Sequence, residues 1–228
     1  MFKWIFRSST ALISLGLFTS LFLGCASMNS KDDRQNYIRH TGPVSDGGID
    51  GIYVPVRPEQ MNGKKVLIIV GKNFNDMETF YPYYRLTESG YDVTVASMTG
   101  GHIQGYGGHI LLDTVAVSEL NYRDYDGLYL PGGKAPAKLR KNDDIISFVQ
   151  DFASLGRPIS AICHGPQILV TAGLAEGRTM TSFPDVGKEI RTAGGYHVDQ
   201  PVAIDGNLIT SRLPSDLPLN LRSFIKKL

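Results

Sequence analysis

Apolar positions along this chain fall into two rhythms. Short continuous runs occur at Val66 to Val70, Val93 to Met98, Leu128-Tyr129-Leu130 and Pro158 to Ile162. Their length and their content of Val, Ile and Tyr predict buried strands. Between and after them, Asp76 to Ser89, Asp143 to Leu155 and Gln167 to Ala172 carry apolar residues at helical spacing. A glycine-rich stretch, Gly100 to Gly108, precedes further hairpin strands. Later, Val186 to Thr192 predicts a helix, Val202 to Thr210 a hairpin, and a terminal helix starts near Asp216. No internal repeat is visible.

Strands alternating with helices predict an α/β fold with a mainly parallel, doubly wound sheet. Ligands of such sheets sit beyond the carboxyl ends of the strands. Three features fall at strand ends here: the acidic group after Val70, Pro131-Gly132-Gly133 after Leu130, and Cys163 after Ile162. Topology alone therefore gathers them on one rim.

The N-terminal portion has a different texture. Lys3 and Arg7 precede an apolar stretch from Thr10 to Leu23, shorter than the roughly 20 residues needed to span a bilayer. It ends in Leu21-Phe22-Leu23-Gly24-Cys25, which resembles a bacterial lipobox, although Phe22 is unusual there. The reading adopted is a lipoprotein-type signal over 1–24, a lipidated Cys25 and polar tether over 25–60, and a folded domain over 61–228. Ordinary secretion with cleavage near Ala26 is the alternative. The expected location is the bacterial cell envelope, lipid-anchored and facing the periplasm.

Composition narrows the partners. Lys plus Arg number 23 against 22 Asp plus Glu, so no broad field exists to hold nucleic acid. Only Cys25 and Cys163 are present, and lipidation consumes the first, so no internal disulfide is available. No Cys and His cluster has zinc spacing, and the glycine-rich stretch lacks the Lys-Ser or Lys-Thr of a phosphate loop. No metal or cofactor is expected.

Cys163 stands in Ala161-Ile162-Cys163-His164-Gly165-Pro166-Gln167, a strand-to-helix turn that reads as a nucleophile elbow with Cys in place of Ser. Helix amides near the sulfur are expected to favour thiolate, with the sulfur pointing out of the sheet. The amide of His164, with one from Gly132 or Gly133, is expected to form an oxyanion hole. A buried, inert thiol is the alternative for Cys163. Glu78, in the acidic group after Val70, fits the N3 position of a capping box begun by Asn75, a place that leaves it free for a second role. His102 and His109 read as loop residues.

Residues 64–227 resemble the PfpI family of the DJ-1/PfpI superfamily. The likeness rests on Tyr81-Pro82-Tyr83 with Arg85-Leu86, Leu130-Pro131-Gly132-Gly133-Lys134-Ala135-Pro136, Ile162-Cys163-His164-Gly165-Pro166-Gln167-Ile168-Leu169, and Ser211-Arg212-Leu213-Pro214. The resemblance implies a flavodoxin-like three-layer sandwich, a reactive Cys163, the adjacent His164, an acid matching Glu78, and self-association. Three positions depart from the family: Asn75 where a Glu is frequent, Phe183 where a Tyr is frequent, and Ala137 where a neighbouring subunit's Glu orients the histidine. The last departure leaves His164 without its expected partner and argues against proteolysis.

The function expected is a cysteine-dependent, cofactor-independent enzyme for small reactive carbonyls. It would be a glyoxalase or a deglycase, working through a hemithioacetal on Cys163 with Glu78 moving the proton. A PfpI-type cysteine peptidase or amidase is one alternative. A non-catalytic redox sensor or chaperone-like stress protein, with Cys163 oxidised and Glu78 holding the oxidised group, is the other.

Overall fold

The computed structural model describes residues 61–228. The expected signal over 1–24, Cys25 and the tether lie outside the described residues. The elements are β1 (Lys65–Ile69), α1 (Asp76–Glu88), β2 (Asp92–Ser97), β3 (Gly101–Gln104), β4 (Ile110–Ala116), β5 (Gly127–Leu130), α2 (Pro136–Leu139) and α3 (Asp143–Ser154). They continue as β6 (Ile159–Ile162), α4 (Pro166–Thr171), β7 (Thr179–Met180), α5 (Gly187–Thr192), β8 (Tyr196–His197), β9 (Val202–Asp205), β10 (Leu208–Ser211) and α6 (Leu217–Lys227).

Eight strands form one sheet in the order β3-β4-β2-β1-β5-β6-β10-β9. The five inner pairings are parallel, and only the edge strands β3 and β9 run antiparallel. Helices covering both faces explain why β1, β5 and β6 are buried along almost their whole length. Each helix seals its face by periodicity: Ile145, Phe148, Val149 and Phe152 on α3, and Leu217, Leu221 and Phe224 on α6. Asn220 interrupts the α6 stripe. It accepts from the Ser160 hydroxyl at 3.0 Å and donates to the Ser211 hydroxyl at 2.8 Å, tying β6 to β10 through a wholly buried polar network.

The hairpin predicted over Val202 to Thr210 is present as β9 and β10, whose second strand also pairs in parallel with β6. The two-residue strands β7 and β8 form a small separate parallel pair. Strand order reverses around β1, so the turns after β1, β5 and β6 meet at a topological switch point.

Candidate active site

Three chain reversals build the site. After β1, Asn75 caps α1, its side chain accepting from the Glu78 amide at 3.2 Å. The reciprocal half of the capping box is missing, because the Asn75 amide donates to the Gly132 carbonyl at 3.1 Å. Glu78 is thereby released to turn inward, where its Oε2 accepts from the Gly132 amide at 2.8 Å in full burial. Its other oxygen, Oε1, is also buried, and the Cys163 thiol is the second donor acting on this carboxyl.

After β6, Cys163 adopts φ 60°, in the left-handed region that non-glycine residues rarely occupy. Such backbone strain costs about 1–3 kcal/mol and persists where surrounding structure enforces it. Here the Cys163 amide donates to Ser211 O and its carbonyl accepts from Phe183 N, both at 2.9 Å. Gly165 completes the turn, since a Cβ there would lie 2.2 Å from the Leu130 carbonyl oxygen and 2.9 Å from that of Ile162. The elbow expected from the sequence is therefore present as a strained turn.

Gly132 is wedged between the Glu78 and Cys163 side chains. A Cβ on it would stand 2.6 Å from Glu78 Oε2, 2.7 Å from Cys163 Cβ and 2.9 Å from the His164 amide nitrogen. Cys163 is only 6% exposed. It is not sealed in apolar packing, however: the Glu78 carboxyl, the His164 ring and the amides of Gly133 and His164 all act on the sulfur.

Burial dominates the electrostatics and corrects the expectation of a resting thiolate. Desolvation first, and the Glu78 charge second, push the Cys163 thiol up to about 12, outweighing the amides of Gly133 and His164. Desolvation likewise lifts the Glu78 carboxyl from 4.5 to about 7, against the pull of the Gly132 amide and the thiol. The two groups hold protons as a pair. The carboxyl is raised less than the thiol, so on titration Glu78 gives up its proton first and Cys163 keeps its own.

Gly132, expected in the oxyanion pair, has its amide committed to Glu78. The amides directed at the sulfur are those of Gly133 and His164.

His164 also departs from expectation. Its Nδ1 lies 3.2 Å from Cys163 Sγ, so these sequence neighbours do touch, and its Nε2 lies 3.2 Å from Asp185 Oδ2. Phe183 stacks on the imidazole at a centroid distance of 4.8 Å. Ala137 sits exposed on α2, and the carboxylate beside His164 is that of Asp185 in the same chain. Asp185 is hard to read from the sequence because it stands 21 residues from His164, in a short turn with no periodicity. Its only sign was an acid two residues beyond Phe183.

His109 is tied to Asp76, Nδ1 to Oδ1 at 2.8 Å, and packs on the Phe80 ring. His197 packs against Gly187 at the start of α5. Among the described residues no group of three His, Cys, Asp or Glu is placed to hold a metal.

Comparison with known proteins places this geometry in context. A model of the DJ-1/PfpI family matches residues 64–227. The chain is 38% identical over 164 residues to deglycase PfpI of Pyrococcus furiosus, covering 72% of this chain and 99% of that protein. It is 33% identical over 169 residues to protein/nucleic acid deglycase 2 of Escherichia coli, covering 72% and 98%. Among solved structures, DJ-1beta of Drosophila melanogaster superposes with a TM-score of 0.68 at 27% identity, covering 73% of this chain and 90% of that one.

Proposed function

The chain belongs to the DJ-1/PfpI family, and from that premise we propose a cysteine-dependent, cofactor-independent enzyme acting on small reactive carbonyls or their early adducts. The deglycase names of its relatives support an enzyme of this substrate class. The observation that carries the chemistry is the Gly132 wedge, which sets a carboxyl able to keep its proton near neutrality directly against a thiol.

With methylglyoxal, the Cys163 S–H adds across the aldehyde: a C–S bond forms, the carbonyl π pair moves to oxygen, and the thiol proton reaches that oxygen by way of Glu78. The amides of Gly133 and His164 receive the developing charge. In a glyoxalase, Glu78 then takes a proton from the carbon bearing sulfur and returns it to the adjacent carbon. One carbon is oxidised as its neighbour is reduced, and water releases the hydroxy acid. In a deglycase, the same thiol displaces the amine from the carbinol carbon of an early adduct, its proton passing through Glu78 to the departing nitrogen, and the hemithioacetal left on Cys163 is resolved by the same rearrangement and hydrolysis.

Following methylglyoxal loss in wild type, Cys163→Ala and Glu78→Gln tests the reading. We expect Cys163→Ala to fall to the uncatalysed rate and Glu78→Gln to lose about 100-fold or more. Equal consumption by Cys163→Ala and wild type overturns it.

The chain of contacts from Cys163 through His164 to Asp185 favours a second reading, a peptidase or amidase. Asp185→Ala separates the two. Carbonyl turnover routed through Glu78 should stay within about threefold of wild type, whereas casein cleavage that depends on an oriented imidazole should drop by at least about tenfold.

A further inference from the structure

The glycine-rich stretch and His109 have no part in the chemistry above, and Asp76 is what shapes them. The Asp76 side chain is only 12% exposed. Its Oδ2 accepts from the Gly107 amide at 2.6 Å, and its Oδ1 accepts from the His109 amide at 3.2 Å and lies 2.8 Å from His109 Nδ1. A Cβ on Gly105 would stand 2.7 Å from both carboxylate oxygens, and one on Gly107 would stand 2.9 Å from Oδ2. The loop between β3 and β4 is therefore moulded on this carboxylate, and its glycines leave the room. Phe80, one turn along α1, packs edge-on against the His109 ring at a centroid distance of 5.6 Å.

From that loop a run of backbone hydrogen bonds leads to the site. The Tyr106 amide donates to Phe74 O and the Asn73 amide to Gln104 O, both at 2.8 Å. On its other side the same segment gives the Asn75 amide to Gly132 O at 3.1 Å and takes the Lys134 amide on Asn73 O at 2.9 Å, while Phe74 and Gly133 form an antiparallel bridge. Residues 73–75 are thus clamped between the β3–β4 loop and the Gly132–Gly133 turn. Asn73 needs such a clamp, because its φ of 65° is a left-handed conformation that persists only where neighbours enforce it. Gly132 then donates to Glu78 Oε2 at 2.8 Å and lies against Cys163.

We propose that Asp76 is a positioning residue for the site: by locking the Gly105–His109 loop it fixes residues 73–75, and through them the Gly132–Gly133 turn that holds Glu78 against Cys163. Residues two apart on a helix do not share a face. The first turn of α1 can therefore hold the loop with the Asp76 carboxylate and reach the site with the Glu78 carboxyl. The bearing of this clamp on turnover rests on Glu78 and Cys163 being the reacting pair. The clamp itself is read from backbone amides, whether or not any carbonyl is turned over.

The test is amide hydrogen exchange by NMR in the full chain, in wild type, Asp76→Ala and Gly107→Ala, alongside methylglyoxal kinetics. Unlocking the loop in Asp76→Ala should speed exchange of the Asn75 and Lys134 amides, which bond across the clamp, by about tenfold. The Cys163 amide, bonded to Ser211 O on β10, should stay within about twofold. Misplacing the Gly132–Gly133 turn should lower kcat by about tenfold and leave KM within about twofold. Gly107→Ala keeps the carboxylate and drives a Cβ against it, so it should show the same pattern more weakly, and it serves as the test should Asp76→Ala fail to fold. Equal acceleration at Asn75, Lys134 and Cys163 would mean that Asp76 only stabilises the domain, and overturns the inference. Unchanged exchange at Asn75 and Lys134 overturns it as well. Selective acceleration in a chain whose wild type leaves methylglyoxal untouched upholds the clamp and refutes the carbonyl reading instead.

Discussion

Glu78 serves as a helix residue whose carboxyl has been taken from its helix. The amide it would ordinarily cap is bonded to the Gly132 carbonyl, and the carboxyl instead binds the Gly132 amide, so one glycine spends both its backbone groups on the start of α1. The consequence is thermodynamic as well as chemical. Folding raises the Glu78 pKa from 4.5 to about 7, so the folded state holds this proton more tightly than the unfolded one. The associated stability is fully present below pH 4.5 and is lost as pH rises through 7. Glu78→Gln should match wild type near the lower value and exceed it at pH 8 by about 3 kcal/mol, read from urea midpoints. A difference independent of pH contradicts the buried-carboxyl assignment. Cys163 and Glu78 were legible in the sequence because each sits at a strand end or helix cap with a local signature. The protonation of the thiol was not, because burial depends on what packs from elsewhere, and the local helix amides suggested the opposite sign.

The elbow is an element with little tolerance. At Gly165 an added Cβ meets carbonyl oxygens of β5 and β6, which cannot move aside as a side chain can. Gly165→Ala should cost about 1–3 kcal/mol and slow Cys163 alkylation together, whereas a substitution at exposed Ala137 should change neither. Asn220 is the corresponding point on α6. Asn220→Ala strands the Ser160 and Ser211 hydroxyls and should cost about 2–4 kcal/mol in chemical denaturation. A loss below about 0.5 kcal/mol would mean that the network contributes nothing to holding β6 against β10. Strands and helices of four or more residues with clear periodicity were readable to within a residue or two. Strand β3, inside the glycine-rich stretch, the two-residue strands β7 and β8 and the single turn of α2 were not, because such segments contain no period to read and exist through tertiary pairing.

At the scale of the whole molecule, strand order brings residues far apart in sequence to one rim: Glu78, Gly133 and Cys163 follow three different strands and act on one another. The parallel sheet was legible from alternation, and so was the rim. The contact from His164 to Asp185 was not, because it depends on the Phe183 amide pairing with the Cys163 carbonyl and laying the next turn beside the elbow. We also propose that the domain is carried on the cell envelope by a lipid on Cys25. Labelled palmitate should enter wild type and not Cys25→Ala, and equal or absent labelling in both contradicts the anchor.

The account depends most on Cys163 bonding to the carbonyl carbon before Glu78 moves the carbon-bound proton; the addition itself can exchange its proton with water and so persists, slowed, without Glu78. Carbon NMR of Glu78→Gln with labelled methylglyoxal addresses this directly. A hemithioacetal resonance that builds up without product, and is missing from the Cys163→Ala/Glu78→Gln double variant, is the result predicted. The same resonance in the double variant, or product forming at the wild-type rate without Glu78, would contradict the account.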